Sequence, residues 1–193
     1  MKSVSLIIHS MRTFFMCFFM PIIISSCADE SITSTKPIEV IDYYQFDEHN
    51  LDLYGINASI MIPNETAGIG ASFETEVLHD DGDFKWQISA GRNFNLFIED
   101  YGDYQYRMPE FLRQLESQDI FKTEIILQKG DYVMFKRELN LTSKKTSSYH
   151  FYGVKYINGV YYEIKNKEEG DSKKVIDFIL KSFLSFKSIN LEL

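Results

Sequence analysis

Three residue types in this 193-residue chain could do chemistry by virtue of where they stand: cysteine, histidine and clustered aspartate. Cysteine occurs only at Cys17 and Cys27. Cys27 follows Arg12, an eleven-residue apolar run from Phe14 to Ile24, and the small pair Ser25-Ser26. A basic, then apolar, then small-residue order is that of a secretory signal peptide. The run is too short for a membrane span, which needs about 18 or more apolar residues. With both cysteines spent on the leader, the body keeps no thiol for a disulfide, a nucleophile or a zinc cluster. The remaining histidines, His49, His79 and His150, are scattered and give no pair at the helical spacing a metal would use. Each would need a second group to serve as a general base. His79-Asp80-Asp81-Gly82-Asp83 is the densest run of oxygen ligands, and Asp80, Asp81 and Asp83 could serve a hard cation such as calcium. The EF-hand spacing and its closing glutamate are absent, however, and a hairpin turn calls for the same residue types. Glu99-Asp100-Tyr101-Gly102-Asp103 is a second acidic turn of the same kind. Ser147-Ser148 lies in no nucleophile elbow, and Gly68-Ile69-Gly70 is too short for a phosphate loop. No cofactor and no catalytic residue is expected from these motifs. Tyrosine gathers at positions 149, 152, 156, 161 and 162. Tyr152, Tyr156 and Tyr161 could present an aromatic recognition face, or could pack in a sheet with their hydroxyls at its rim.

The elements that must hold these residues are mostly strands. Leu51–Tyr54 and Ala58–Ile62 read as an extended segment stopped at Pro63-Asn64, and Ile69–Leu78 continues it. After the Asp80–Asp83 turn, Phe84, Trp86 and Ile88 alternate with polar neighbours, as a half-buried strand requires. Phe94–Ile98 is a further strand. A helix is predicted from Pro109 to about Gln118, with Phe111, Leu112 and Leu115 on its apolar side. Two hairpins follow. Thr123–Leu127 and Tyr132–Leu139 flank Lys129-Gly130-Asp131, while Tyr149–Ile157 and Val160–Lys165 flank Asn158-Gly159, a type I′ turn signal. A last helix, capped by Asp171 or Ser172, carries the stripe Val175, Ile176, Ile179, Leu180 and Phe183. The fold class is therefore α+β: a mainly antiparallel sheet of about six or seven strands covered by helices.

Two resemblances attach to these residues. Ile24-Ser25-Ser26-Cys27 resembles the lipobox of bacterial lipoproteins. That likeness implies cleavage before Cys27, a diacylglyceryl thioether on its sulfur, and acylation of the new amino group. Two or three acyl chains anchor stably where one does not. The body, over roughly residues 50 to 188, resembles the PsbP-like α/β/α sandwich family. The features that carry the likeness are the early strand pair ending in Ile60-Met61-Ile62-Pro63, the mid-chain helix, and the closing helix through Lys181-Ser182-Phe183-Leu184-Ser185-Phe186-Lys187. It implies a fold and no catalytic residue, because that fold hosts diverse partners.

The organisation expected is a signal peptide at 1–26, a lipid anchor and flexible tether at 27–37, and one α+β domain at 38–193. Met11 is the expected start, since it opens a compact leader; Met1 is the alternative. Lys2 and Arg12 are the only charges in the leader, so 18 basic and 28 acidic residues follow it, a net of −10. Such a body repels nucleic acid and anionic headgroups, leaving membrane attachment to the lipid. Asp29 and Glu30 behind the anchor resemble a surface-export tag, and residence on the outer membrane is expected. The function expected is a non-enzymatic, lipid-anchored envelope protein that binds a partner protein or a small ligand. The alternative is a hydrolase or metal-dependent enzyme using the acidic turns and a histidine.

Overall fold

The computed structural model describes residues 41–70, 74–80, 82–117, 120–139 and 147–189, all within one compact unit, Val40–Leu193. Cys27, the tether and Asp81 lie outside the described residues. The chain forms β1 (Phe46–Asn50), β2 (Ala58–Pro63), β3 (Thr75–Leu78), β4 (Lys85–Ala90), β5 (Phe94–Asp100), α1 (Arg107–Glu116), β6 (Phe121–Gln128), β7 (Tyr132–Leu139), β8 (Ser147–Ile157), β9 (Val160–Lys165), α2 (Lys173–Ser185) and β10 (Lys187–Ser188). Seven strands make one antiparallel sheet in the order β3-β4-β5-β9-β8-β7-β6, and β1, β2 and β10 make a second, smaller one. The α+β class and the dominant antiparallel sheet agree with the sequence. The three-stranded sheet is a departure, because β1 lies in a stretch without clear alternation and β10 has only two residues.

Period two sorts the strands onto two faces. Trp86, Ile88, Leu96, Ile98, Phe151 and Ile164 point to one face, where α2 and the small sheet close the main core. α2 contributes Val175, Ile176, Phe178, Ile179 and Phe183, each stabilising the fold by about 1.5–3 kcal/mol through burial. Its ends are satisfied locally. The Ser172 side chain accepts from the Val175 N–H, and Lys155 Nζ donates to the carbonyls of Phe183 and Leu184 at 2.9 and 3.1 Å. Gly153 makes room for this packing, since a Cβ there would lie 2.6 Å from the Phe183 ring. The opposite face carries Val133, Phe135, Tyr152 and Val154, and α1 covers it with Met108 and Leu115.

Local departures have local causes. Asp52–Tyr54 is a single 3-10 turn rather than extended chain, because the Asn50 side chain accepts the Asp52 N–H. Pro109 is the third residue of α1, a position whose N–H has no helical acceptor in any case. The β8–β9 hairpin turns as expected: Asn158 and Gly159 both have positive φ, 51° and 90°, as a type I′ turn demands.

Candidate functional site

The face under α1 is where the charged side chains converge. Alternation along the strands puts Phe135 and Arg137 of β7, Ser148, His150 and Tyr152 of β8, Glu163 and Lys165 of β9 on this side. α1 adds Arg107, Phe111 and Gln114, which recur at spacings of four and three and so share one helix face. Between them lies a cavity of about 220 Å³. At roughly 30 Å³ per water, that is room for a small ligand or one side chain of a partner.

Glu163 is the organising residue. Its side chain is 1% exposed on a central strand, so it must be paired to be tolerated there. Oε2 accepts from Arg107 Nε and Nη2 at 3.0 and 2.5 Å and from the Tyr152 hydroxyl at 2.6 Å, and Oε1 accepts from Lys165 Nζ at 2.8 Å. Lys165 also meets Glu99 Oε1 at 2.8 Å, and Glu99 Oε2 accepts from the Tyr101 hydroxyl. The Arg107 guanidinium lies 4.2 Å above the Tyr101 ring, which closes the loop. Glu110 adds a third carboxylate at the edge, with Oε2 3.5 Å from Arg107 Nη1. Burial would lower both basic groups, but the bonds and charge of Glu163 outweigh it at Arg107, and those of Glu163 and Glu99 do so at Lys165; both end above their ordinary values. Burial and the bond to Glu163 push Tyr152 far up, and burial with the bond to Glu99 pushes Tyr101 to about 12. The Phe111 ring stacks on Tyr152 at 3.6 Å and 2°, fixing the tyrosine from above.

Arg137 is different in kind. It forms no ion pair among the described residues, and its buried Nε has no hydrogen-bond partner there. Aromatic rings flank it, with Phe135 and Phe121 centred 5.0 and 5.5 Å from the guanidinium carbon. Burial alone lowers its pKa. The other cations of the cavity are matched: Arg107 and Lys165 by Glu163 and Glu99, Lys167 by Asp171 at 3.1 Å. His150, 5% exposed, stacks on Phe135 at 5.1 Å, and its Nε2 lies 2.8 Å from Ser148 Oγ. Burial, then the nearby Arg137 charge, drives its pKa down to about 4, so the ring is neutral at pH 7.

The residues singled out in the sequence fall in several places. Tyr152 is in the network just described, at 2% exposure. Tyr156 is exposed and its ring touches that of half-buried Tyr161, centroids 4.6 Å apart. The three therefore do not form one exposed aromatic face. Asp80 and Asp83 sit in a turn closed by the Asp83 N–H on the Asp80 carbonyl. With His79 and Glu99 they edge a second cavity, of about 490 Å³, but His79 is taken up by structure: Nδ1 donates to the Lys85 carbonyl and the ring stacks on Trp86. Among the described residues no three His, Cys, Asp or Glu side chains converge to hold a metal ion. No helix among them is long and apolar enough to cross a membrane.

Sequence reading missed Arg107, Arg137, Glu163 and Lys165. The signal was present in Tyr161-Tyr162-Glu163-Ile164-Lys165, where two charges and a tyrosine at spacing two mark a polar face on a strand next to a hairpin turn. What partners that face needs depends on a helix some fifty residues earlier, which no local pattern reports. In comparison with known proteins, no family model matches the chain, and no curated protein matches it either.

Proposed function

We propose that this chain is a binding module of the bacterial cell envelope, held by lipid on Cys27, which takes a small anion or an anionic side chain of a partner into the cavity under α1. The single observation that carries the reading is Arg137 in the wall of that cavity, a half-buried guanidinium whose Nε is buried without a hydrogen bond and which has no ion pair among the described residues. Partial burial of an unpaired charge costs free energy, and an anion that pairs it recovers part of that cost. The guanidinium fork favours carboxylate or phosphate geometry. The lipobox-like leader supports the anchor, and the net charge of −10 after it supports a lipid, not the domain surface, as the membrane contact. A sheet with a helix on each face supports the PsbP-like likeness.

Titrating acetate, benzoate and inorganic phosphate at constant ionic strength tests the site. At least one of them should bind, and Arg137→Met should weaken it about 10- to 100-fold, the worth of a charge-assisted hydrogen bond. Equal affinity in the variant, or no binding of any of the three to the parent, refutes the site. Cys27→Ala should abolish metabolic labelling with palmitate; continued labelling refutes the anchor.

A second reading, hydrolysis, is favoured by Ser148 Oγ at 2.8 Å from the neutral His150 imidazole. That pair could pass the hydroxyl proton to the ring during attack. Covalent labelling of Ser148 by a fluorophosphonate, lost in Ser148→Ala and in His150→Asn, would select it over binding alone.

A further inference from the structure

β6 ends the seven-stranded sheet, and its outer edge has no partner among the described residues. Such edges are usually blunted by short length, inward charges or bulges. Here the bulge comes late, between Ile125 and Leu127, leaving Phe121–Ile125 as a regular stretch paired to β7. That stretch is exposed and apolar at both ends, Phe121 at 36% and Ile125 at 45%. We propose that it pairs antiparallel with β6 of a second copy of this chain, about a two-fold axis at Thr123.

The charges select a second copy as occupant. Within one chain Lys122 stands opposite Glu138, and Glu124 opposite Lys136. A two-fold axis at Thr123 places Lys122 opposite Glu124 of the second copy, and the reverse. Each row across the joined sheets then reads Glu138, Lys122, then Glu124 and Lys136 of the second copy, alternating in sign at every step. Opposite charges directly across an antiparallel pair are favourable and like charges are not. Moving the axis by one residue sets Lys122 against its own copy or Glu124 against its own, so the pattern fixes the register as well as the partner.

The other face of the strand gives an independent reason. Phe121 meets Ile125 of the second copy, extending the apolar pairs Phe121–Leu139 and Ile125–Phe135 within each chain. Thr123 meets Thr123 of the second copy, so the row through the axis carries no charge.

Cysteine cross-linking in the membrane, on the full chain expressed with its own leader, tests the pairing. Residue 123 faces itself, so Thr123→Cys should give a thiol-reducible dimer of about twice the mass of the processed chain under mild oxidation. The parent chain, with Cys17 and Cys27 only, sets the background. Gln128→Cys should stay at that background, because the proposed register puts it about 30 Å from its copy. Thr123→Cys at background with an unchanged circular dichroism spectrum overturns the proposal. So does a Gln128→Cys dimer of equal yield, which marks random collision, or trapping of Thr123→Cys on a different protein. A zero-length amine–carboxyl cross-link on unsubstituted chain, from mixed ¹⁴N and ¹⁵N preparations, gives a second readout. Lys122–Glu124 peptides of mixed isotope support the register, and their absence counts against it.

Discussion

His150 should make this protein lose stability as the solution turns mildly acidic. The ring is sealed by Phe135, Ser148, Gly170 and the Arg137 charge, and its pKa falls from 6.5 to about 4. The folded value lies below the unfolded one, so the unfolded chain binds the proton more readily. The contribution is therefore whole above pH 6.5, declines as pH falls, and is gone below about 4. At about 1.4 kcal/mol per unit, the window carries about 3 kcal/mol, with a slope approaching 1.4 kcal/mol per pH unit near its middle. His49 is also lowered by burial and acts in the same window, which makes a difference measurement necessary. Glu48 and Glu99 are held below the usual carboxylate range, so their share is lost only at lower pH. Urea unfolding followed by the fluorescence of Trp86, the single tryptophan and a buried one, gives stability at each pH from 7 to 4.5. His150→Asn costs packing at every pH, but subtracting its profile from the parent's isolates the proton. The difference should shrink steadily as pH falls. Parallel profiles would show that His150 is not excluded from water as the structure has it.

Two further substitutions probe the two faces of the sheet. Gly153→Ala forces a methyl to 2.6 Å from the Phe183 ring, and overpacking of this kind should cost about 1–3 kcal/mol by thermal or urea unfolding; an unchanged midpoint would mean that α2 slides freely on β8. Glu163→Gln leaves the Arg107 guanidinium short of its buried carboxylate and should cost about 3 kcal/mol or more, whereas Tyr152→Phe, which removes one donor to that carboxylate, should cost about 1 kcal/mol. Equal losses in the two variants would count against Glu163 as the centre of the network.

The elements were legible where one short segment contained its own instructions. Asn158-Gly159 specified its hairpin because both positions need left-handed backbone, and α2 was marked by its stripe and by the Ser172 cap. β1 and β10 were not, since each is defined by pairing with β2 and has little pattern of its own. The site was less legible still. Its acidic runs and histidines drew notice by density, yet Asp80 and Asp83 form a turn and His79 is tied to a backbone carbonyl. Arg137 stands in Phe135-Lys136-Arg137-Glu138, where a charge on a strand reads as a wetted face. Only the third dimension shows that its two neighbours in sequence, Lys136 and Glu138, pair with each other on the opposite face at 2.5 Å.

That separation explains why the charged groups under α1 should not be treated as one active centre. A general acid or base needs an oxygen free to exchange a proton with something that reacts. Glu163 has none: one oxygen serves Arg107 and Tyr152, the other Lys165. Tyr152 is held protonated by the same carboxylate, and Arg107 and Lys165 are held protonated by it in turn. The network thus serves to fix α1 on the sheet. That its cations are already paired matters for what lies beside it. With Arg107 and Lys165 already matched, they contribute little field to the cavity, and the positive charge an incoming group meets there is that of Arg137. On the proposed reading, an anionic group would be taken up there by contact, since long-range attraction would fail against a body of net −10.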